Sequence, residues 1–107
     1  MPRKPPRSLP SADDYPALAA FLDGYLHQDF RQAHGGALSA AAAFARDAGP
    51  DELATVCGEL AALQRTLVGQ PLAVWRGAIA AIGGSWRPSS SGEVERVLEV
   101  LEEARDG

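Results

Sequence analysis

Apolar side chains in this 107-residue chain recur with the period of an α-helix. In the first such stretch, Leu18, Phe21 and Leu22 are followed one turn later by Tyr25 and Leu26. This spacing places the side chains on one face of a helix, and an apolar face has to pack against another element. No stretch alternates apolar and polar residues as a half-buried strand does, and nothing repeats at a period of about 20–50 residues. The pattern predicts an all-α protein.

Glycine and proline divide the chain into about five short helices, which we expect to form a compact bundle. Glycine is favoured just past a helix end and proline at the first helical position, so Gly49-Pro50 marks a stop followed by a start. The predicted helices run from Pro16 to Leu26 or a few residues beyond, and then over about Ala37–Ala48, Asp51–Val68, Pro71–Ile82 and Gly92–Arg105.

Residues that share an apolar stripe are the predicted core. Cys57 lies on the stripe of the third helix, which indicates a small buried hydrophobe, and as the only cysteine it excludes an internal disulfide. Tyr25 is expected to be largely buried with its hydroxyl paired. Trp86 lies outside every stripe, so it either plugs the end of the bundle or presents an exposed aromatic anchor to a partner. In the second helix, Phe44 is placed beside an inward side formed by Leu38, Ala41, Ala42 and Ala45.

Two helix starts carry capping signals. Asp13 or Asp14 precedes the first helix and is predicted to cap it. Ser90 and Glu93 have the spacing of a capping box, in which each side chain accepts a hydrogen bond from the backbone N–H of the other.

Charge is distributed unevenly along the chain. Ten basic and fourteen acidic residues give a net charge of −4, but Arg3, Lys4 and Arg7 lie in a first stretch without acids. Without those three bases, 7 basic residues face 14 acidic ones, a net charge of −7. Such a body repels nucleic acids and anionic membranes and attracts basic proteins. No segment approaches the ~20 apolar residues of a membrane span, so neither nucleic acid nor membrane is an expected partner.

Proline separates the N-terminus from the rest of the chain. Residues 1–12 hold four of the eight prolines, which remove backbone donors and restrict the preceding residues. We therefore predict a disordered, flexible arm over residues 1–12 and a single helical domain over residues 13–107.

Residues 15–30 read Tyr-Pro-Ala-Leu-Ala-Ala-Phe-Leu-Asp-Gly-Tyr-Leu-His-Gln-Asp-Phe. This order resembles the first helix of small bacterial immunity proteins of contact-dependent growth inhibition systems, approximately Tyr-Pro-x-Leu-x-x-Phe-Leu-x-Gly-Tyr-Phe-His-Gln-Asp-Trp. Leu26 and Phe30 replace the family's usual Phe and Trp and keep large apolar groups. The resemblance continues more loosely to about Glu103, although the family usually has more acidic residues after the position of Phe30.

The resemblance implies a cytoplasmic immunity protein that binds a cognate contact-delivered toxin domain and neutralises it by occluding its active site or substrate cleft. Such toxins are often nucleases with basic clefts, and the resemblance implies neither a cofactor nor catalysis. The alternative is a small helical adaptor or structural module that binds another protein. A gene directly downstream of a large contact-delivered protein would favour the first interpretation, and the oligomeric state stays open.

The polar residues after the first helix admit two further interpretations. His27, Asp29 and His34 could start a metal site, but ligands must converge within ~2–2.3 Å of the ion. His27 and Asp29 are two positions apart and point in different directions on a helix. We instead interpret Tyr25, His27 and Asp29 as hydrogen-bonding anchors of the helix end, with direct partner contact as the other interpretation.

Acidic residues of the last predicted helix form a negative face opposite its apolar edge. Acids near a helix C-terminus oppose the macrodipole at a cost of ~0.3–1 kcal/mol each at low salt, and only Arg105 compensates them. Stability therefore does not explain the pattern, whereas a basic partner does. No nucleophile elbow or phosphate-binding glycine loop is present, so we expect no enzyme. The predicted partner contacts are Asp23, His27, Asp29, Trp86, Glu95, Glu99, Glu102 and Glu103.

Overall fold

The computed structural model describes residues 10–26, 36–83 and 86–107. Within those ranges the protein is all-α, as predicted, and every predicted helix is present with each end within one residue of its predicted position. The helices are α1 (Pro16–Tyr25), α2 (Ala37–Asp47), α3 (Pro50–Leu67), α4 (Leu72–Ile82) and α5 (Ser91–Asp106).

The long helix α3 supplies the centre of the bundle. It packs against both α1 and α5, while α2 also contacts both of these helices, and α4 contacts α1. The apolar stripe predicted for α3 is the buried one. Its inward residues are Leu53, Val56, Cys57, Leu60, Leu63 and Leu67.

Three aromatic rings join α1 to α2. The ring of Phe44 lies 4.8 Å from that of Phe21 and 5.4 Å from that of Tyr25, measured between centroids, and meets the tyrosine edge-on at 80°. Aromatic pairs at such separations stabilise a core beyond the area that they bury. Phe21 and Phe44 are buried, whereas Tyr25 is half-buried rather than largely buried.

The prediction for the inward side of α2 was wrong in part. Ala41 is buried as predicted, but Leu38 is 40% exposed, and Ala40 and Phe44 are buried instead. The run of alanines carries almost no periodic signal, so the large ring of Phe44 decides which side of the helix faces the core. Once Phe44 points inward against α1, Leu38 is turned toward solvent.

The first helix is capped from another helix. Tyr15 occupies the N-cap position without a side-chain cap, and Asp14 accepts a hydrogen bond from the Ser11 N–H at 3.2 Å. The expected cap by Asp13 or Asp14 was therefore wrong. Instead, the Leu18 N–H donates to Glu59 Oε1 of α3 at 2.8 Å. A carboxylate suits this position because the N-terminal end of a helix is electropositive and has unpaired donors.

Replacing Glu59 with alanine is expected to lower the free energy of unfolding by about 1–2 kcal/mol, because the Leu18 N–H loses a part-buried acceptor. Glu59→Gln keeps an acceptor oxygen and should lose less. Urea denaturation followed by circular dichroism measures both variants. Equal losses in the two variants would show that charge, rather than hydrogen bonding, is what Glu59 contributes.

Helix α5 starts with half of the predicted capping box. The Glu93 N–H donates to Ser90 Oγ at 3.1 Å, as predicted. The Glu93 carboxylate, however, accepts from the Ser89 N–H at 2.8 Å rather than from that of Ser90. The preceding loop is also tied to α4, since Arg76 Nε donates to the Pro88 carbonyl at 2.8 Å. The bond from Arg76 holds the loop before α5 against α4, and the two others fix the start of α5 to that loop.

Candidate functional site

The acidic residues of α5 lie opposite its buried face. Glu95, Glu99 and Glu103 are exposed and spaced four residues apart, and Glu102 is half-buried beside them. We call these four residues the acidic row. The opposite side of the helix is buried through Val94, Val97, Leu98 and Leu101.

The three exposed carboxylates of the acidic row contribute no hydrogen bond or ion pair to the described part of the fold. Within the three described ranges, Glu95, Glu99 and Glu103 form no hydrogen bond or ion pair, and Arg105 pairs with Asp106 at 3.1 Å. Like charges four residues apart on a helix repel each other and destabilise it slightly. Glu102, in contrast, is half-buried and interacts electrostatically with Arg105. The exposed members of the row therefore form a surface of unpaired negative charge that the isolated protein keeps at a small cost.

A groove of about 420 Å³ opens at the start of α5, where it meets the end of α3 and the beginning of α4. Trp75 forms a wall of the groove, and its Nε1 donates to the Gln70 carbonyl at 3.1 Å. Val68 lines the groove with 71% of its surface exposed. Glu95 belongs to both the groove and the acidic row. The lining residues are Gln64, Val68, Gly69, Gln70, Trp75, Ser91, Gly92 and Glu95.

Other predicted partner contacts lie elsewhere. Asp23 is exposed on α1 and lines a separate depression of about 270 Å³, next to Ile82 and Gly83 at the end of α4. The structure therefore places Asp23 and Glu95 in different depressions. His27, Asp29 and the suggested third metal ligand, residue 34, lie outside the described ranges. In those ranges, no three His, Cys, Asp or Glu side chains are arranged to hold a metal ion.

Trp86 is 3% exposed, which agrees with a plug at the end of the bundle. Its ring belongs to the same core cluster as Trp75 and Val94. Its Nε1 is buried and has no acceptor within the described part of the chain. An indole covered in this way offers a partner no aromatic surface, so the exposed-anchor interpretation lacks the geometry that it requires.

A contact that sequence reasoning missed joins the ends of α1 and α2. The Tyr25 hydroxyl donates to Asp47 Oδ2 at 2.8 Å, so the hydroxyl is paired as expected. This hydrogen bond raises the pKa of Tyr25, and burial and the charges of Asp47 and Glu52 raise it further. Tyrosine therefore remains a neutral donor. The one feature of the sequence that could have indicated this contact is Asp47 itself. It is an acid in the last turn of α2, where a carboxylate opposes the helix dipole and is stabilised by a donor.

Cys57 is buried, which confirms its interpretation as a small core residue. Burial is the main cause that raises the pKa of its thiol, against an opposing effect from Arg105. A protonated thiol without solvent contact is a poor nucleophile.

In the ranges that the structure describes, no helix combines the length and the apolar character that membrane crossing requires. A comparison with protein-family models matches residues 14–103 to the family described as CdiI immunity protein. The chain belongs to this family. As a CdiI immunity protein it has a cognate toxin to neutralise, and every predicted partner contact lies within the matched residues. No curated protein and no solved structure matches the chain.

Proposed function

We propose that this immunity protein acts in the cytoplasm by binding its cognate toxin domain over the active site or substrate cleft. The toxin surface that it covers is basic, as in a nuclease. The protein supplies no catalytic group and no cofactor, since occlusion requires only a complementary surface. The observation that carries the proposal is the acidic row, whose exposed carboxylates have no partner in the described ranges.

Charge complementarity acts mainly on the rate of association. The chain beyond its first ten residues carries a net charge of −7, from 7 basic and 14 acidic residues. A field of that sign steers a basic partner and raises association rates by roughly 10–10³-fold at low salt. Fast capture suits a protein that has to neutralise a toxin before the toxin reaches its substrate.

We expect the cognate toxin gene to lie directly upstream of this chain's gene, and the C-terminal toxin domain that it encodes can be used to test the acidic row. Neutralising Glu99, Glu102 and Glu103 to Gln should slow association by about 10-fold or more at low salt. The fold should survive, because removing acids near the C-terminus of α5 relieves their opposition to the dipole. Stopped-flow mixing at several ionic strengths measures the rate, and thermal melting checks the fold.

A control removes the same number of charges elsewhere. Asp13, Asp51 and Glu52 are exposed and lie on other parts of the chain, so Asp13→Asn, Asp51→Asn and Glu52→Gln together should slow association much less. Equal slowing in both triple variants would mean that total charge, and no particular face, steers the toxin. A wild-type rate that does not change with salt would contradict the electrostatic proposal itself, since screening shortens to ~3 Å at 1 M.

A further inference from the structure

We propose that the groove at the start of α5 receives one long basic side chain, lysine or arginine, from the toxin surface. This inference rests on the proposed function and adds an anchoring point to it. It follows from the groove's two unlike halves, one apolar and one anionic.

The apolar half is formed mainly by Val68, with a small contribution from Trp75, which lines the groove but is only 3% exposed. Val68 is the most exposed large hydrophobic residue in the described ranges, at 71%, and it lies in the turn that follows α3. Burying this side chain against a partner is favourable, because apolar surface is removed from water. A lysine or arginine stem is apolar enough to cover Val68 and still leave its charged head in a polar setting.

The anionic half is formed by Glu95 and the end of α3. The Glu95 carboxylate is exposed and has no ion pair within the described residues. The last carbonyls of α3 carry the negative end of its dipole, which favours a cation. Arg65, the basic residue in the last turn of α3, is not part of the groove lining.

The opposite dipole, at the start of α5, is already compensated. The Glu93 carboxylate lies in the first turn, and Ser90 Oγ accepts from the Glu93 N–H. The positive end of α5 is thus offset by a side chain of its own helix, and the groove keeps the negative sign of Glu95. An anionic ligand would meet that carboxylate, whereas a cation is attracted to it.

The wall of the groove is already formed in the unbound protein. Gly69 has a φ of 85°, a left-handed conformation that glycine adopts without strain. It allows the turn in which the Gln70 N–H donates to the Leu67 carbonyl at 2.9 Å. The Gln70 carbonyl then accepts from Trp75 Nε1 and fixes the ring. A preformed wall reduces the ordering cost of binding.

The test uses the full chain labelled with ¹⁵N and the unlabelled toxin domain encoded upstream. The two tryptophans give two indole N–H signals, and both side chains are 3% exposed, but Trp75 lines the groove whereas Trp86 does not. Toxin binding should shift the Trp75 signal clearly and the Trp86 signal little. The reverse pattern, or no shift of Trp75 at saturation, would overturn the proposal.

Variants provide a second readout. Val68→Arg places a like charge at the mouth of the groove and should raise the Kd by about 30-fold or more. The control Val74→Arg, at a residue that is 39% exposed on α4 and outside the groove lining, should change the Kd by less than about 3-fold. Glu95→Gln should weaken binding by about 10-fold. Both valines are exposed enough that folding should be unaffected, which thermal melting verifies.

The outcomes separate this inference from the proposed function. Wild-type affinity in Val68→Arg and Glu95→Gln would reject the groove while leaving toxin neutralisation in place. A wild-type protein that fails to bind the toxin domain would reject both. Selective loss in Val68→Arg, with Val74→Arg unchanged, supports the groove.

Discussion

Replacing Trp86 with alanine should lower the free energy of unfolding by about 3–5 kcal/mol, because the ring is almost wholly buried and its removal leaves a cavity. The loop that carries Trp86 also positions Pro88, whose carbonyl bonds to Arg76. Losing the ring therefore loosens the connection between α4 and α5 as well as the core. Urea denaturation, followed by far-UV circular dichroism, measures the change.

Trp86→Phe is the matched variant. It keeps an aromatic ring and removes an indole N–H that has no acceptor within the described residues, so it should lose less than about 1.5 kcal/mol. Toxin affinity should remain at the wild-type level in this variant. Normal stability combined with lost toxin binding in Trp86→Ala would instead make this residue a contact anchor.

Replacing Phe44 with alanine should also cost about 3–5 kcal/mol of unfolding free energy. The ring is 4% exposed and packs against Phe21 and Tyr25, so its loss separates α1 from α2. Leu38→Ala on the same helix should cost less than about 1 kcal/mol, because Leu38 is 40% exposed. Chemical denaturation of the two variants compares them directly. A larger loss in Leu38→Ala would mean that α2 presents the side that its sequence spacing predicted.

Helix positions could be predicted because glycine and proline mark them. Gly49-Pro50 ends α2 and begins α3 in the sequence and in the structure alike. The orientation of α2 could not be predicted in the same way, since alanine has little preference between core and surface. The packing of α2 against α1, through Phe44, and against α5 settles it, and those contacts join residues distant in the chain.

In the candidate site, too, features set by local spacing could be predicted from the sequence, whereas features set by contacts between helices could not. The spacing of Glu95, Glu99 and Glu103 is a local property of one helix, so the acidic row was visible in the sequence. The groove unites Gln64, Trp75 and Ser91 from three helices, and no sequence pattern connects them. The cap of α1 by Glu59 was hidden for the same reason, since 41 residues separate donor and acceptor.

The exposed carboxylates of the acidic row form no hydrogen bond or ion pair within the described residues, and this has an evolutionary consequence. Exposed positions without a hydrogen bond or ion pair in the described part of the chain, such as Glu99 and Glu103, can change with little effect on the core, so a partner can select their substitutions. A toxin that alters its basic surface can thus be followed by compensating changes along one helix face, while the buried stripes of α3 and α5 stay as they are. New toxin–immunity pairs can diverge in specificity on a scaffold that keeps its fold.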